Sequence, residues 1–348
     1  MATRILKDHD VNTNSKKRKN ARSDPLSADS KKAKQDSGDV TVTTTETDPP
    51  KCGVLTSWRE PSRIPVSEPG TSKIVFFDLE TTSLKADCDI TQISAVYEND
   101  IFNSYVIPDK MIDPRASEIT GIVCYGDEMY VHGEPVTAVP PKEALENFLA
   151  WIEARSPVVM LAHNAQFDYT RLFHALETHN LYDKFSEHIE GFVDTLGLFK
   201  PKFPKMVNYK QETLAKEVLN KTYSSHNSAE DVKILRELYI KSEPHSFKTH
   251  SCTFTSAYNR WFYNKRKLKN KNAFNKMVKD GTLTTAVANR MVGSGLVRAD
   301  LQKICKKSGE PELLALLNEK DKSGQPRVPE AENIVGKIFQ HFKKGNKK

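Results

Sequence analysis

Four acidic residues and one histidine, placed in three short stretches, are the residues of this chain whose types and spacing fit catalysis. Asp78 and Glu80 lie in the first stretch, Asp168 ends the second, and His226 and Asp231 lie in the third. Carboxylates that gather in one place repel one another, and their pKa values rise unless a positive charge lies among them. Mg²⁺ or Mn²⁺ supplies that charge, because these ions prefer oxygen ligands and keep several waters.

A carboxylate cluster with a histidine suits the hydrolysis of a phosphate ester. In a two-metal site the ions lie about 3.5–4 Å apart, and one activates water while the other stabilises the leaving oxygen. A histidine near that water is the natural base. We therefore expect two Mg²⁺ (or Mn²⁺) ions, with Asp78, Glu80, Asp168 and Asp231 as ligands and His226 as the base.

The elements around the first two stretches would bring their acids together. Residues 74–77 form a short aromatic and β-branched run, which predicts a buried strand with Asp78 at its end. Asp78 and Glu80 are two positions apart and would project to the same side of the chain. Asp168 follows a second predicted strand at 158–162 and should open a helix.

The third stretch predicts a helix over 228–240, because apolar residues recur there with helical spacing. Asp231 lies in its first turn. His226 precedes Asp231 by five residues and lies near the start of the helix, with Asn227 or Ser228 as the candidate N-cap.

The three stretches resemble the Exo I, Exo II and Exo III motifs of the DEDDh (DnaQ-like) 3′→5′ exonucleases. That family includes the bacterial polymerase proofreading subunit and the metazoan three-prime repair exonucleases. The resemblance covers roughly residues 73 to 241 and places Asp78, Glu80, Asp168 and Asp231 on the family's four acids. His226 falls on the general base. The resemblance implies removal of nucleoside 5′-monophosphates from the 3′ end of single-stranded DNA or frayed duplex ends.

The resemblance also implies roles for individual residues. Asp78, Glu80 and Asp231 would hold the ion that activates water, and Asp78 would bridge to the second ion, which Asp168 reaches directly or through water. Leu84 falls where the family wedges an apolar side chain against the terminal base, with loop packing as the alternative. Asn164 is predicted to hold a strand-to-helix turn and is a candidate contact of the scissile nucleotide. Asp194 is predicted to support the fold rather than to bind a metal.

Two other functions stay open from the sequence. An exoribonuclease that trims small RNA would carry the same motifs, because the choice of RNA depends on contacts with the 2′-hydroxyl. The second open function is that of a nuclear scaffold or nucleic-acid-binding protein whose active site no longer catalyses a reaction. Residues 209–239 and about 253–342 are similar to the exonuclease-like C-terminal region of the longest promyelocytic leukaemia protein isoform. That region has lost its acids, whereas this chain retains them.

The order of predicted elements indicates an α/β fold. Three neighbouring strands are followed by alternating strands and helices, which suits a mixed sheet with helices on both faces. The resemblance implies a ribonuclease-H-like sheet of five strands. We expect three regions: a disordered polar tail at 1–72, an exonuclease domain at 73–245 and a basic, all-helical C-terminal region at 246–348.

Charge is distributed unevenly among these three regions. The first carries 13 Lys and Arg against 10 Asp and Glu, the second 17 against 27, and the third 22 against 8. The basic third region would attract a polyanion to an acidic catalytic domain, so we expect a nucleic-acid partner, DNA more than RNA. The aromatic and basic residues of 253–271 fit either base stacking or a buried helix face, and the buried face is favoured for the aromatics.

Location is predicted from short signals. Lys16–Lys19 and Lys31–Lys34 predict a bipartite nuclear localisation signal, with a solvated basic linker or weak nucleic-acid contact as the alternatives and the cytoplasm as the other location. No apolar stretch has the length of a membrane span, and no secretory signal follows the N-terminus. The five cysteines are odd in number and form no CxxC pair, which favours a reducing compartment without structural zinc.

Overall fold

The computed structural model describes residues 58–67, 70–244 and 246–344. Its strands, numbered along the chain, are β1 (Lys73–Thr81), β2 (Ile90–Tyr97), β3 (Asp100–Val106), β4 (Ile122–Tyr125), β5 (Glu128–Val131), β6 (Glu134–Val136), β7 (Ala138–Val139), β8 (Val158–Ala162), β9 (Ile189–Asp194) and β10 (Ser251–Thr253). Seven of them form the main sheet in the order β10-β9-β8-β1-β2-β3-β7, and β4, β5 and β6 form a small second sheet.

Helices cover both faces of the main sheet and make up most of the C-terminal third. They are α1 (Pro114–Thr120), α2 (Pro141–Glu153), α3 (Gln166–Thr178), α4 (Tyr182–Ser186), α5 (Thr195–Lys202), α6 (Gln211–Leu219), α7 (Ser228–Ser242), α8 (Phe254–Lys269), α9 (Asn275–Lys279), α10 (Thr285–Gly293), α11 (Arg298–Lys307), α12 (Glu310–Asn318) and α13 (Glu332–Lys344). A short 3₁₀ helix covers Lys248–His250. Among the described residues, no helix has the length and apolarity needed to cross a bilayer.

The predicted α/β fold, a mixed sheet with helices on both faces, is confirmed. β1 lies at the centre of the sheet, antiparallel to β2 and parallel to β8. The five predicted strands are β1, β2, β3, β8 and β9, and the structure adds the short edge strands β7 and β10. These two pair over only two and three residues, and so short a run leaves no readable alternation in the sequence.

Alternation along β1 divides the core into two layers. Val75 and Phe77 face one layer, where they pack in a cluster with residues of α2, α3 and α8. Phe76 faces the other layer and packs with Leu235 of α7. Asp78 continues the side of Phe76, so the chain directs its first acid toward α7.

β1 is longer than the sequence indicated. The strand was predicted to end before Asp78, but it continues through both acids to Thr81. Asp78 pairs with Ser94 and Glu80 pairs with Gln92 of β2, and the register shifts between Glu80 and Thr81. The acids are therefore fixed by the backbone of a central strand rather than by a loop.

The boundary near residue 245 differs from the expected one. β10 adds to the main sheet, and the first half of α8 packs through Phe254, Tyr258 and Trp261 into the layer that contains Val75 and Phe77. These aromatic side chains are buried, so they form a core face and the base-stacking alternative is excluded for them. A separate apolar cluster joins α9 to α13, beginning at Phe274.

Part of the expected N-terminal tail is packed rather than disordered. Trp58 is 5% exposed, and its indole Nε1 donates to the carbonyl oxygen of Glu319 at 3.0 Å. Its backbone N–H donates to Asp321 at 3.0 Å. Further along, the Ile64 carbonyl accepts from Thr253 N–H at 2.7 Å, and Val66 is buried. Residues 58–66 thus connect the C-terminal helices to the edge of the main sheet.

Replacing Trp58 by alanine should destabilise the protein by about 3–5 kcal/mol, the usual cost of removing a buried large aromatic side chain. The substitution also removes the cation–π contact of the ring with Arg327, whose guanidinium lies 3.8 Å from the ring centroid. Urea unfolding followed by circular dichroism measures the change. Met111→Ala is the control, because Met111 is 95% exposed. Equal unfolding midpoints for the two variants would show that residues 58–66 contribute no stability.

Candidate active site

Three of the four predicted acids meet where β1 faces α7. One carboxylate oxygen from each of Asp78, Glu80 and Asp231 lies within 4.8 Å of the others. The first two come from alternate positions of β1, and Asp231 comes from the first turn of α7. The Asp231 carboxylate of α7 thus joins the two carboxylates that β1 supplies.

Buried polar contacts fix the start of α7 against β2. The hydroxyl groups of Ser228 and Ser94 are 2.6 Å apart, and Ser228 N–H donates to Gln92 Oε1 at 3.3 Å. Asn103 on β3 accepts from both Gln92 and Ser94. Because Ser94 and Gln92 are the partners of Asp78 and Glu80 in the sheet, the same residues set the position of α7 and of the acids. The candidate N-cap is Asn227, which accepts from Ala229 N–H.

Asp168 lies in the first turn of α3, as predicted, and is 2% exposed. It is outside the group of three, but it lines the same cavity of about 740 Å³ as Asp78, Glu80 and Asp231. The backbone N–H of Leu79 and the Arg171 guanidinium both lie near enough to its carboxyl group to stabilise its charge. Asp168 is thus held at the wall of the cavity by the strand that carries two of the other acids.

His226 lines the cavity from the loop before α7, and half of its side chain is exposed. Its backbone has a φ of 64°, in the left-handed region. The imidazole Nε2 lies 3.2 Å from Glu212 Oε1, and the backbone N–H of His226 lies near enough to the Asp231 carboxyl group to oppose the rise of its pKa. The structure therefore brings His226 to the acids, as the sequence predicted, and adds Glu212 as its neighbour.

Burial raises the pKa of every acid in the cluster, and repulsion by the other acids of the cluster adds to the rise for Asp78 and Glu80. Burial is the main cause for Asp78, whose pKa lies well above its ordinary value, and repulsion by Asp168, Asp231 and Glu80 adds to it. The same causes raise the pKa of Glu80 to about 9, through burial first and then Asp231 and Asp168. Burial raises the pKa of Asp168 to about 8 and that of Asp231 to about 6. For Asp231 the Tyr223 hydrogen bond opposes the rise.

These shifts predict that the metal-free protein loses stability as pH rises. The folded state holds protons on Glu80 up to about pH 9 and on Asp168 up to about pH 8, whereas an unfolded chain releases them near pH 4. Between those limits the folded state binds more protons, so the free energy of unfolding falls with increasing pH. We expect the melting temperature in EDTA to fall steadily from pH 5 to pH 9.

A variant tests the cause of that trend. Asp78→Asn removes one buried carboxylate, and at pH 8 in EDTA it should raise the melting temperature by about 2–4 °C, the change that about 1 kcal/mol produces in a domain of this size. Asp127→Asn alters an exposed acid in the turn between β4 and β5 and serves as the control. Identical pH curves for wild type and Asp78→Asn would show that this carboxylate does not destabilise the fold.

Leu84 and Asn164 lie at the rim of the same cavity. The Leu84 side chain is 84% exposed, so its loop-packing alternative is wrong. Its carbonyl accepts from Arg171 Nη2 at 2.6 Å, which ties the loop to α3. Asn164 adopts a φ of 65°, and its N–H donates to Asp194 Oδ1 at 2.9 Å. The predicted turn role of Asn164 and the supporting role of Asp194, which also caps α5, are confirmed.

Two residues that the sequence did not indicate contact the third acid. Tyr223 donates its hydroxyl to Asp231 Oδ1 at 2.6 Å, and Gln211 Nε2 donates to the same oxygen at 3.0 Å. Tyr223 lies in the loop before α7 and Gln211 begins α6. A tyrosine in a loop and a glutamine at a helix start are common, so only the long-range packing of α6 on α7 identifies them.

The donor set fits a divalent cation. Carboxylate oxygens are the ligands that Mg²⁺ and Mn²⁺ prefer, and three lie within 4.8 Å of one another in Asp78, Glu80 and Asp231. Among the described residues, no lysine or arginine forms an ion pair with any of these three acids. A cation would lower their raised pKa values and offset their repulsion.

Comparison with known sequences finds a similarity to exonucleases in this region. Residues 75–239 match the RNase T family model, which is described as an exonuclease. The DNA polymerase III PolC-type of Caldanaerobacter subterraneus is 32% identical over 176 residues, which are 49% of this chain and 11% of the relative. The PolC-type polymerase of Lacticaseibacillus paracasei is 28% identical over 189 residues, 53% of this chain and 12% of the relative. The chain thus spans about a tenth of these relatives.

Comparison with solved structures finds exonucleases. Exonuclease X in complex with 5′ overhanging duplex DNA has 18% identity and a TM-score of 0.33, covering 49% of this chain and 90% of that one. Escherichia coli Exonuclease I in complex with a 5cy-dA13 oligonucleotide has 12% identity and a TM-score of 0.39, covering 78% of this chain and 70% of that one.

Proposed function

Because residues 75–239 match the RNase T family model, which is described as an exonuclease, we propose that the chain is a metal-dependent 3′→5′ exonuclease. It would act on DNA in preference to RNA and release nucleoside 5′-monophosphates. The observation that carries the proposal is the convergence of Asp78, Glu80 and Asp231 on one point of a cavity that Asp168 and His226 also line.

The chain's own residues have distinct tasks in this proposal. Asp78, Glu80 and Asp231 would hold one ion, and Asp168 would take part in holding a second. Bound Mg²⁺ or Mn²⁺ would supply an activated water and stabilise the charge that develops on the leaving oxygen. His226 takes the proton of the attacking water, because it borders the cavity on the side of Asp231.

The cavity has room for a terminal nucleotide. Its volume of about 740 Å³ lies within the range of about 300–1,000 Å³ that is usual for sites of small organic molecules. Leu84 and Ile119 present exposed apolar side chains at the rim, and Asn164 presents an amide. We propose that Leu84 contacts the terminal base and that Asn164 contacts the scissile nucleotide.

The C-terminal region would attract the nucleic acid. No Asp or Glu occurs between Glu243 and Asp280, whereas nine Lys and Arg do. The aromatic side chains of α8 are buried among the core, so the contribution of this helix to binding is its charge. Phosphate attraction of this kind raises the association rate and weakens with salt.

Digestion of end-labelled oligonucleotides tests the proposal against both alternatives. Matched single-stranded DNA and RNA, each labelled at the 5′ end, are incubated with Mg²⁺, Mn²⁺ or EDTA. A ladder of shortened, 5′-labelled DNA that requires the metal supports the proposal. Faster shortening of the RNA would favour the exoribonuclease. Lack of metal-stimulated digestion of either strand would favour an idle nucleic-acid-binding protein, an alternative that the intact acid set argues against.

We also propose import into the nucleus through Lys16–Lys19 and Lys31–Lys34, which lie outside the described residues. Two basic clusters separated by about a dozen residues support this proposal. A fluorescent reporter carrying residues 1–57 should accumulate in nuclei, and replacement of both clusters by alanine should abolish the accumulation.

A further inference from the structure

The carboxyl group of Asp231 is held on one side only. Its Oδ1 accepts from the Tyr223 hydroxyl at 2.6 Å and from Gln211 Nε2 at 3.0 Å. An ionised carboxylate oxygen has about two lone-pair sites, so these donors satisfy Oδ1 and leave Oδ2 available. Gln211 also donates to the Asp231 backbone carbonyl at 2.8 Å, which fixes the amide relative to the helix.

Glu212, the residue after Gln211, contacts His226, the second functional residue of the third motif. Glu212 follows Gln211 at the start of α6, and its Oε1 lies 3.2 Å from His226 Nε2. Two consecutive side chains of one helix therefore reach Asp231 and His226. Leu214 of α6 packs with Val232 and Leu235 of α7 in the same apolar cluster. This packing fixes the position of α6 relative to α7.

We infer that Gln211, Glu212 and Tyr223 are positioning residues of the active site. Gln211 and Tyr223 orient Asp231 so that its free oxygen is presented beside Asp78 and Glu80. Glu212 orients the imidazole of His226. The inference rests on the proposed function, since the two oriented groups are a metal ligand and a base.

The two kinds of positioning residue have different expected effects. Mutation of a residue that hydrogen-bonds to a metal ligand usually lowers metal affinity or activity by about 10–100-fold. Tyr223→Phe and Gln211→Met should therefore raise the Kd for Mn²⁺ about 10–100-fold. Glu212→Gln should leave that Kd unchanged and instead lower kcat about tenfold at saturating metal, with KM for the oligonucleotide unaltered.

A second tyrosine of the same cluster provides the control. Tyr209 also packs at the edge of the cluster formed by α5, α6 and α7, and its hydroxyl donates to the Phe203 carbonyl at 2.9 Å. Tyr209→Phe thus removes a comparable hydrogen bond that involves no carboxylate. Melting temperatures of both tyrosine variants measure the structural cost, which should be similar.

Titration calorimetry of metal-stripped protein with Mn²⁺ measures the Kd without any turnover. A Kd raised by Tyr223→Phe but not by Tyr209→Phe supports the inference. Equal Kd values for the two variants, or no binding by the wild type, overturns it. If the wild type binds Mn²⁺ but digests no oligonucleotide, the proposed function fails, and the calorimetric comparison still decides whether Tyr223 orients Asp231.

Discussion

Replacing Asp78 by asparagine should lower the rate of oligonucleotide digestion by about a thousandfold or more, because metal coordination contributes several kcal/mol of transition-state stabilisation and each 1.36 kcal/mol is tenfold in rate. Asp78 is the central acid: the charges of Asp168, Asp231 and Glu80 all act on it.

Binding of single-stranded DNA should remain largely intact in the same variant. Asparagine keeps the shape of the side chain and removes a negative charge that repels a polyanion. Fluorescence anisotropy in EDTA measures binding, and release of mononucleotides with Mg²⁺ measures turnover. Asp127→Asn should behave as the wild type in both assays. Undiminished release of mononucleotides by Asp78→Asn would remove the metal site from the mechanism.

The convergence of the catalytic acids could be predicted because it follows from local periodicity. Residues two apart on a strand share a side, so Asp78 and Glu80 had to point in one direction. The third motif places Asp231 in the first turn of a helix, and the structure confirms that helix from Ser228. The extent of β1 could not be predicted, because Asp and Glu are depleted in strands, yet pairing with β2 overrides that preference.

Contacts between distant parts of the chain were not predictable. Residues 58–66 have the polar, proline-containing composition of a tail, and only the cluster around Asp321 and Arg327 shows why Trp58 is ordered. In the same way, Gln211 lies 20 residues from Asp231 and carries no pattern of its own. The sequence therefore identifies the groups that would do the chemistry, and the structure identifies the groups that orient them.

Replacing His226 by asparagine should lower kcat by about 10²–10⁴-fold, the usual contribution of a positioned general base. Asparagine is the informative substitution because His226 adopts a φ of 64°, a left-handed conformation that asparagine tolerates better than most residues. The loop should therefore keep its path beside Asp231.

The position of His226 separates its role from that of the acids. Its side chain is half exposed and contacts Glu212, so its removal leaves no cavity in the core and should change the melting temperature little. The Kd for Mn²⁺ should also stay near that of the wild type, because the three converging carboxylates are retained. His188→Asn is a matched control, since His188 also lies near a glutamate but borders a different part of the sheet. A large loss of kcat with unchanged metal affinity identifies His226 as the base, whereas full activity would mean that another group takes the proton.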